Sequence, residues 1–174
     1  KVYQPKGIWE SSTSGRGVLA RYVQDHGEDL YRRGLYSFIK RTVPPPGMLM
    51  FDASNRDQCE VRRMRTNTPL QSLLLMNDPT ILEAARVFAQ RLLSENSTPK
   101  DKIAKAFRSI VCRDAKPEEL ELLVGYFEEE QVKFQQSPAK ANELIRAGEY
   151  PAAGLKDVVS LAALMQVVHT IYNM

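Results

Sequence analysis

The sequence predicts a mainly α-helical protein, an irregular bundle of about six helices with a loop-rich N-terminal third. Three observations carry that prediction. After Thr66 the chain repeats one device, a hydroxyl or carboxylate residue directly before a proline. Apolar residues behind those points recur at helical spacing. The loops between those segments are short, so neighbouring helices should be roughly antiparallel.

The N-terminal third is the least regular part. Residues 1–21 read as an extended tail, with Ser11-Ser12-Thr13-Ser14-Gly15 as a flexible loop. Val18 to Gln24 reads as one short strand, and Asp25-His26-Gly27 as a turn. From Asp29 to Val43 the spacing of Tyr31, Leu35, Phe38 and Ile39 predicts a helix that Pro44-Pro45-Pro46 must end. Met48 to Asn67 has no clear period. A loop of that length is uncommon in a compact domain unless it is functional or packed against something.

Beyond it, Thr68-Pro69, Asp78-Pro79, Thr98-Pro99 and Ser137-Pro138 predict four helix starts. The oxygen side chain can accept from the unpaired N–H groups of a first turn, and proline there lacks only an N–H that would have had no partner. Thr98 with Asp101 has the spacing of a capping box. Leu70 to Met76 is a short apolar helix. Ile81, Ala85, Phe88, Ala89 and Leu92 share one helical face, as do Ile103, Ala106, Phe107 and Ile110. A helix from Pro117 to about Gln136 turns Leu120, Leu123, Phe127 and Phe134 inward and places Glu118 and Glu119 at its positive end. Lys156 to Met174 is the long last helix. Residues 22–174 thus read as a single helical domain, made of a basic segment (22–67) and a helical bundle (68–174).

At 174 residues with 43% hydrophobic residues, the chain can bury a core and is not disordered throughout. The most apolar stretch, Val158 to Val168, is far shorter than the roughly 20 residues that span a bilayer. The chain begins at Lys1 without a signal pattern and stops at Met174 inside an apolar helical pattern, so it reads as a piece of a larger protein. Cys59 and Cys112 belong to no metal or redox motif and read as buried or partly buried free thiols, with a disulfide between them as the alternative. Charge is uneven: residues 1–67 hold 12 Lys/Arg against 7 Asp/Glu, and residues 68–174 hold 12 against 14. The basic excess is N-terminal.

That excess contains the one cluster with chemical interest. Arg32, Arg33, Lys40 and Arg41 precede or flank the prolines, and Arg56, Arg62, Arg63 and Arg65 follow them. The first reading is internal pairing with Asp52, Asp57, Glu60 and Asp78. The second is convergence on a phosphate, sulfate or carboxylate. Nucleic acid is not expected, because a net charge of +3 makes no broad basic face. The oxygen-rich run from Asp52 to Asp57 lacks the glycine and distal glutamate of a calcium loop and reads as an Asx-type turn. His26 reads as solvent-facing and His169 as a satisfied buried or interface side chain. Glu128-Glu129-Glu130 reads as a solvated face. Trp9, Tyr22, Tyr31, Tyr36, Phe38 and Phe51 read as the core under the irregular region, with a platform for sugars or partner chains as the alternative. No catalytic, metal or cofactor motif is present.

Several long strings carry a family resemblance: Tyr22-Val-Gln-Asp25, the run Leu30 to Pro46, Phe51-Asp-Ala53, Val61-Arg-Arg-Met-Arg-Thr-Asn-Thr-Pro-Leu-Gln71 and Leu75-Met-Asn-Asp-Pro79. The chain resembles domain of unknown function 1553, the C-terminal domain of planctomycete-type proteins often joined to cytochrome-c-like modules. The match is close from Tyr22 to about Arg91. Gly34 stands where serine is expected and Ile39 where an aromatic is expected. The resemblance implies no established activity. It implies an exported parent in the periplasm or cell envelope, and no haem, since the attachment motif is absent.

Two functions follow as expectations. The first is a helical interaction or structural module that docks onto other domains of its parent protein. The second is part of a binding site for an anionic ligand, an acidic or sulfated sugar or a phosphate, completed by further domains. The candidate residues for anion binding or structural ion pairs are Arg32, Arg33, Arg41, Asp52, Asp57, Arg62, Arg63, Arg65 and Asn67.

Overall fold

The computed structural model describes residues 1–12, 20–40, 42–54, 59–152 and 157–174. Among these residues the chain is mainly helical and contains no β-strand; Lys40 and Val43 form an isolated bridge. The α-helices are α1 (Ile8–Ser11), α2 (Pro46–Met50), α3 (Pro69–Asn77), α4 (Pro79–Leu93), α5 (Pro99–Val111), α6 (Pro117–Gln136), α7 (Pro138–Leu144) and α8 (Val158–Tyr172). The chain divides into two compact units, Lys1–Leu74 and Leu75–Met174.

In the second unit the helix starts fall where the prolines predict them. Asp78 accepts from the Thr80 N–H at 2.7 Å and opens α4. Thr98 and Asp101 form the capping box of α5, each oxygen taking the other's backbone N–H. Ser137 makes no side-chain cap, so at α7 the preset dihedral of Pro138 is the starting signal. The last helix begins later than the sequence predicts: Asp157 caps it through the Ser160 N–H at 3.0 Å, and it runs from Val158. Lys156 lies outside the described residues.

The hydrophobic α8 packs against α4, α5, α6 and α7. Leu161, Leu164, Met165, Val168 and Ile171 are almost fully enclosed, with Leu92, Phe107 and Leu123 among the side chains around them. His169 is buried, and its Nε2 lies 2.9 Å from the carbonyl of Leu75 in the last turn of α3. That geometry puts a proton on Nε2, which then satisfies a carbonyl the helix end leaves open. The acidic run of α6 divides: Glu128 and Glu129 are exposed, but Glu130 is buried and pairs with Lys133 at 2.7 Å. The expected solvated face therefore covers only two of the three.

The first unit departs more from expectation. In place of a helix over 29–43 there are two 3-10 turns, Gly27–Tyr31 and Gly34–Tyr36. Arg32 and Ser37 are extended, and Leu35 and Tyr36 are exposed, so much of the apolar stripe is left uncovered by the described residues. A short helix without such cover does not persist. The expected extended tail contains α1, which places Trp9 inside the unit at 2% exposure. The Trp9 ring lies 5.2 Å from Tyr22 and 6.0 Å from Phe38, with Lys40 Nζ 4.4 Å from its centre. Tyr22 donates its hydroxyl to the Val2 carbonyl, and burial, aided by the charge of Asp25, pushes its pKa up to about 12. The expected strand over 18–24 does not form in its described part, residues 20–24. The aromatic set splits as well: Trp9 is core, whereas Tyr31, Tyr36, Phe38 and Phe51 are exposed. Cys59 and Cys112 are free, and both are exposed rather than buried.

Candidate functional site

The site is built where α2 ends. Pro46 begins this helix, Phe51 closes it, and Asp52 follows with φ +53°, a left-handed turn that aspartate tolerates better than most residues. The turn aims the Asp52 carboxylate at a segment 14 residues further on. Its Oδ2 accepts from both the backbone N–H and the hydroxyl of Thr66, each at 2.7 Å. Those two bonds, the backbone one foremost, hold the Asp52 carboxyl below its ordinary pKa.

Gln71, buried at the start of α3, locks the same junction from behind. Its Nε2 donates to the Met50 carbonyl at 2.8 Å and to Thr66 Oγ1 at 3.2 Å, while its Oε1 accepts from the Thr68 N–H at 3.2 Å. One amide thus joins α2, the irregular segment and the first turn of α3. Thr68 with Gln71 has the spacing of a capping box, the sequence signal that could have pointed to this lock.

Against this framework lies an open cleft of about 660 Å³, lined by Arg62, Arg63, Arg65, Asp52, Thr66 and Gln71. Phe51 and Met64 supply its apolar wall. The three arginines are exposed, and none has an ion-pair partner among the described residues. The cleft's carboxylate, Asp52, is engaged by Thr66.

The other candidates lie elsewhere. Arg32 pairs with Asp29 in its own 3-10 turn. Arg33 is exposed and is not part of the cleft lining, and the same holds for Asn67. Arg41 and Asp57, with Arg56, lie outside the described residues. Asp78 serves as the cap of α4. Of the carboxylates expected to neutralise the cluster, Asp52 accepts from Thr66 through Oδ2 and Asp78 from the Thr80 N–H through Oδ1, and neither forms an ion pair with an arginine among the described residues.

The family model described as PSD1: Protein of unknown function (DUF1553) matches residues 1–127. The chain belongs to this family. No curated protein and no solved structure matches it. The DUF1553 match takes in the whole arginine cleft, α4, α5 and the first half of α6. No described helix is long and apolar enough to cross a membrane.

Proposed function

We propose that this DUF1553 chain is a non-catalytic helical module whose arginine cleft binds an anionic group, such as an acidic or sulfated sugar or a phosphate. One observation carries the reading. Arg62, Arg63 and Arg65 line a single cleft without a carboxylate partner among the described residues, and the one carboxylate present is tied to Thr66. Planar, permanently charged guanidiniums suit oxyanions geometrically as well as electrically. The Asp52–Thr66–Gln71 network holds the backbone under them, which lowers the ordering cost of binding. Calorimetric titration with inorganic sulfate, inorganic phosphate and a sulfated disaccharide tests it. Saturable binding that weakens at least tenfold in the Arg62→Ser/Arg63→Ser/Arg65→Ser variant is expected. Absence of binding by all three probes removes the reading.

A second reading, docking onto other domains of the parent protein, has its own support. Among the described residues, 13 of the 18 exposed large apolar side chains belong to residues 1–74. Large apolar side chains left exposed in such number are a feature of interaction sites. Hydrogen exchange of residues 30–74 in the full-length protein, compared with this chain alone, distinguishes it: slower exchange in the full-length protein supports docking, and identical exchange rules it out.

A further inference from the structure

The connection between α7 and α8 is gripped by two charged side chains that no sequence pattern singles out. Glu83 and Arg86 stand one turn apart on α4 at 3% and 1% exposure. Both hold the backbone of one residue: the Tyr150 N–H donates to Glu83 Oε1, and the Tyr150 carbonyl accepts from Arg86 Nη2 at 2.5 Å. Gly148, at φ +81°, lets the chain come this close, because a Cβ there would lie 2.2 Å from Glu83 Cδ.

The clamp leaves Arg86 incompletely satisfied. Its Nη2 is 3.9 Å from the Glu83 carboxylate, beyond hydrogen-bond reach. Its Nε and Nη1 are buried and have no acceptor among the described residues. Nine in ten or more buried polar groups do have one, and a guanidinium pays heavily for lacking it. Arg86 also lines a cleft of about 370 Å³ whose rim carries Asn142, Arg146 and Glu149. Arg146 is exposed and without an ion-pair partner among the described residues, so a second cation stands at the mouth; Glu149 is the opposing charge there. Asn142 has its amide N–H committed to the Pro138 carbonyl.

We propose that this cleft is a second binding site, for a compact oxyanion, with Arg86 as the buried donor and Arg146 as the outer cation. An oxyanion brings several acceptor oxygens in a small volume, which the single ion pair of Arg86 with Glu83 does not supply to Nε and Nη1. The site is independent of the arginine cleft of the first unit.

Titrating the protein with inorganic phosphate and with acetate at constant ionic strength, while following the Gly148 and Tyr150 amide resonances, tests the proposal. At least one probe is expected to give saturable shifts there. Arg146→Ser should raise the dissociation constant about fivefold or more, and Arg86→Lys, which loses the Nη donors, should abolish saturation. The Arg62→Ser/Arg63→Ser/Arg65→Ser variant should leave these shifts unchanged. Linear, unsaturated shifts with both probes, or an unaltered constant in Arg146→Ser, overturn the proposal. Arg146 is exposed, so its variant gives the decision even if Arg86→Lys does not fold.

Discussion

The two units of this chain are held together in different ways. Among the described residues, the second contains 19 buried apolar side chains in one continuous cluster, gathered around α8. In the first, apart from Pro45, the buried apolar side chains described are Trp9, Leu30 and Val43. Where the second unit relies on summed apolar area, the first relies on particular hydrogen bonds and ring contacts: Asp52 on Thr66, Gln71 on Met50, Tyr22 on Val2, and the rings around Trp9. The difference teaches where function has room. The unit built from local polar contacts keeps three exposed arginines along one cleft, whereas among the described residues the packed helices hold a single arginine, Arg86, buried within them.

The contrast can be broken or sharpened by substitution. The largest effect is expected at Phe107, fully enclosed in the second unit. Phe107→Ala should cost about 3–5 kcal/mol, the usual range for emptying a buried aromatic site. Urea unfolding should show a lower midpoint at an unchanged slope. In the first unit Trp9→Ala should cost about 3 kcal/mol, the lower end of that range, because its surroundings can collapse more easily. Faster amide exchange at Tyr22 and Val43 would register it. Equal losses at the two positions would erase the distinction between the units.

The smallest effect concerns a surface pair. Arg113 grips Glu119 at both oxygens, 2.7 and 2.8 Å, and Glu119 also accepts from the Lys116 N–H at the start of α6. The Arg113 hydrogen bonds, then that N–H, bring the Glu119 pKa from 4.5 down to about 2. A folded-state pKa below the unfolded one means that the pair stabilises the fold above about pH 4.5 and ceases to as pH falls toward 2. Because the pair is exposed, its contribution is small. Stability measured against pH should therefore show the wild type and Glu119→Gln converging between pH 4.5 and 2. Parallel curves across that window would mean that the pair contributes nothing.

Legibility in the sequence followed the same division. The proline-led starts of α3, α4, α5 and α7, and both ends of α6, could be read directly, since a cap and a proline act within one turn. The helix expected over 29–43 does not form because periodicity only offers a face, and Leu35 and Tyr36 stay exposed. At the cleft, Arg62, Arg63, Arg65 and Asp52 were visible as charges. The role of Asp52 as the partner of Thr66 was not, because it spans 14 residues and depends on a left-handed turn. Glu83 and Arg86 were silent because their partner Tyr150 lies more than 60 residues away.

By itself, then, the sequence determined what is local: helical class, the proline-marked starts, the greasy character of α8 and the N-terminal excess of positive charge. The tertiary structure alone decided that Asp52 turns to Thr66, and that Glu83 and Arg86 meet Tyr150 more than 60 residues away. Hydrogen bonds are short and directional, so a pairing across such distances exists only once packing has fixed both ends.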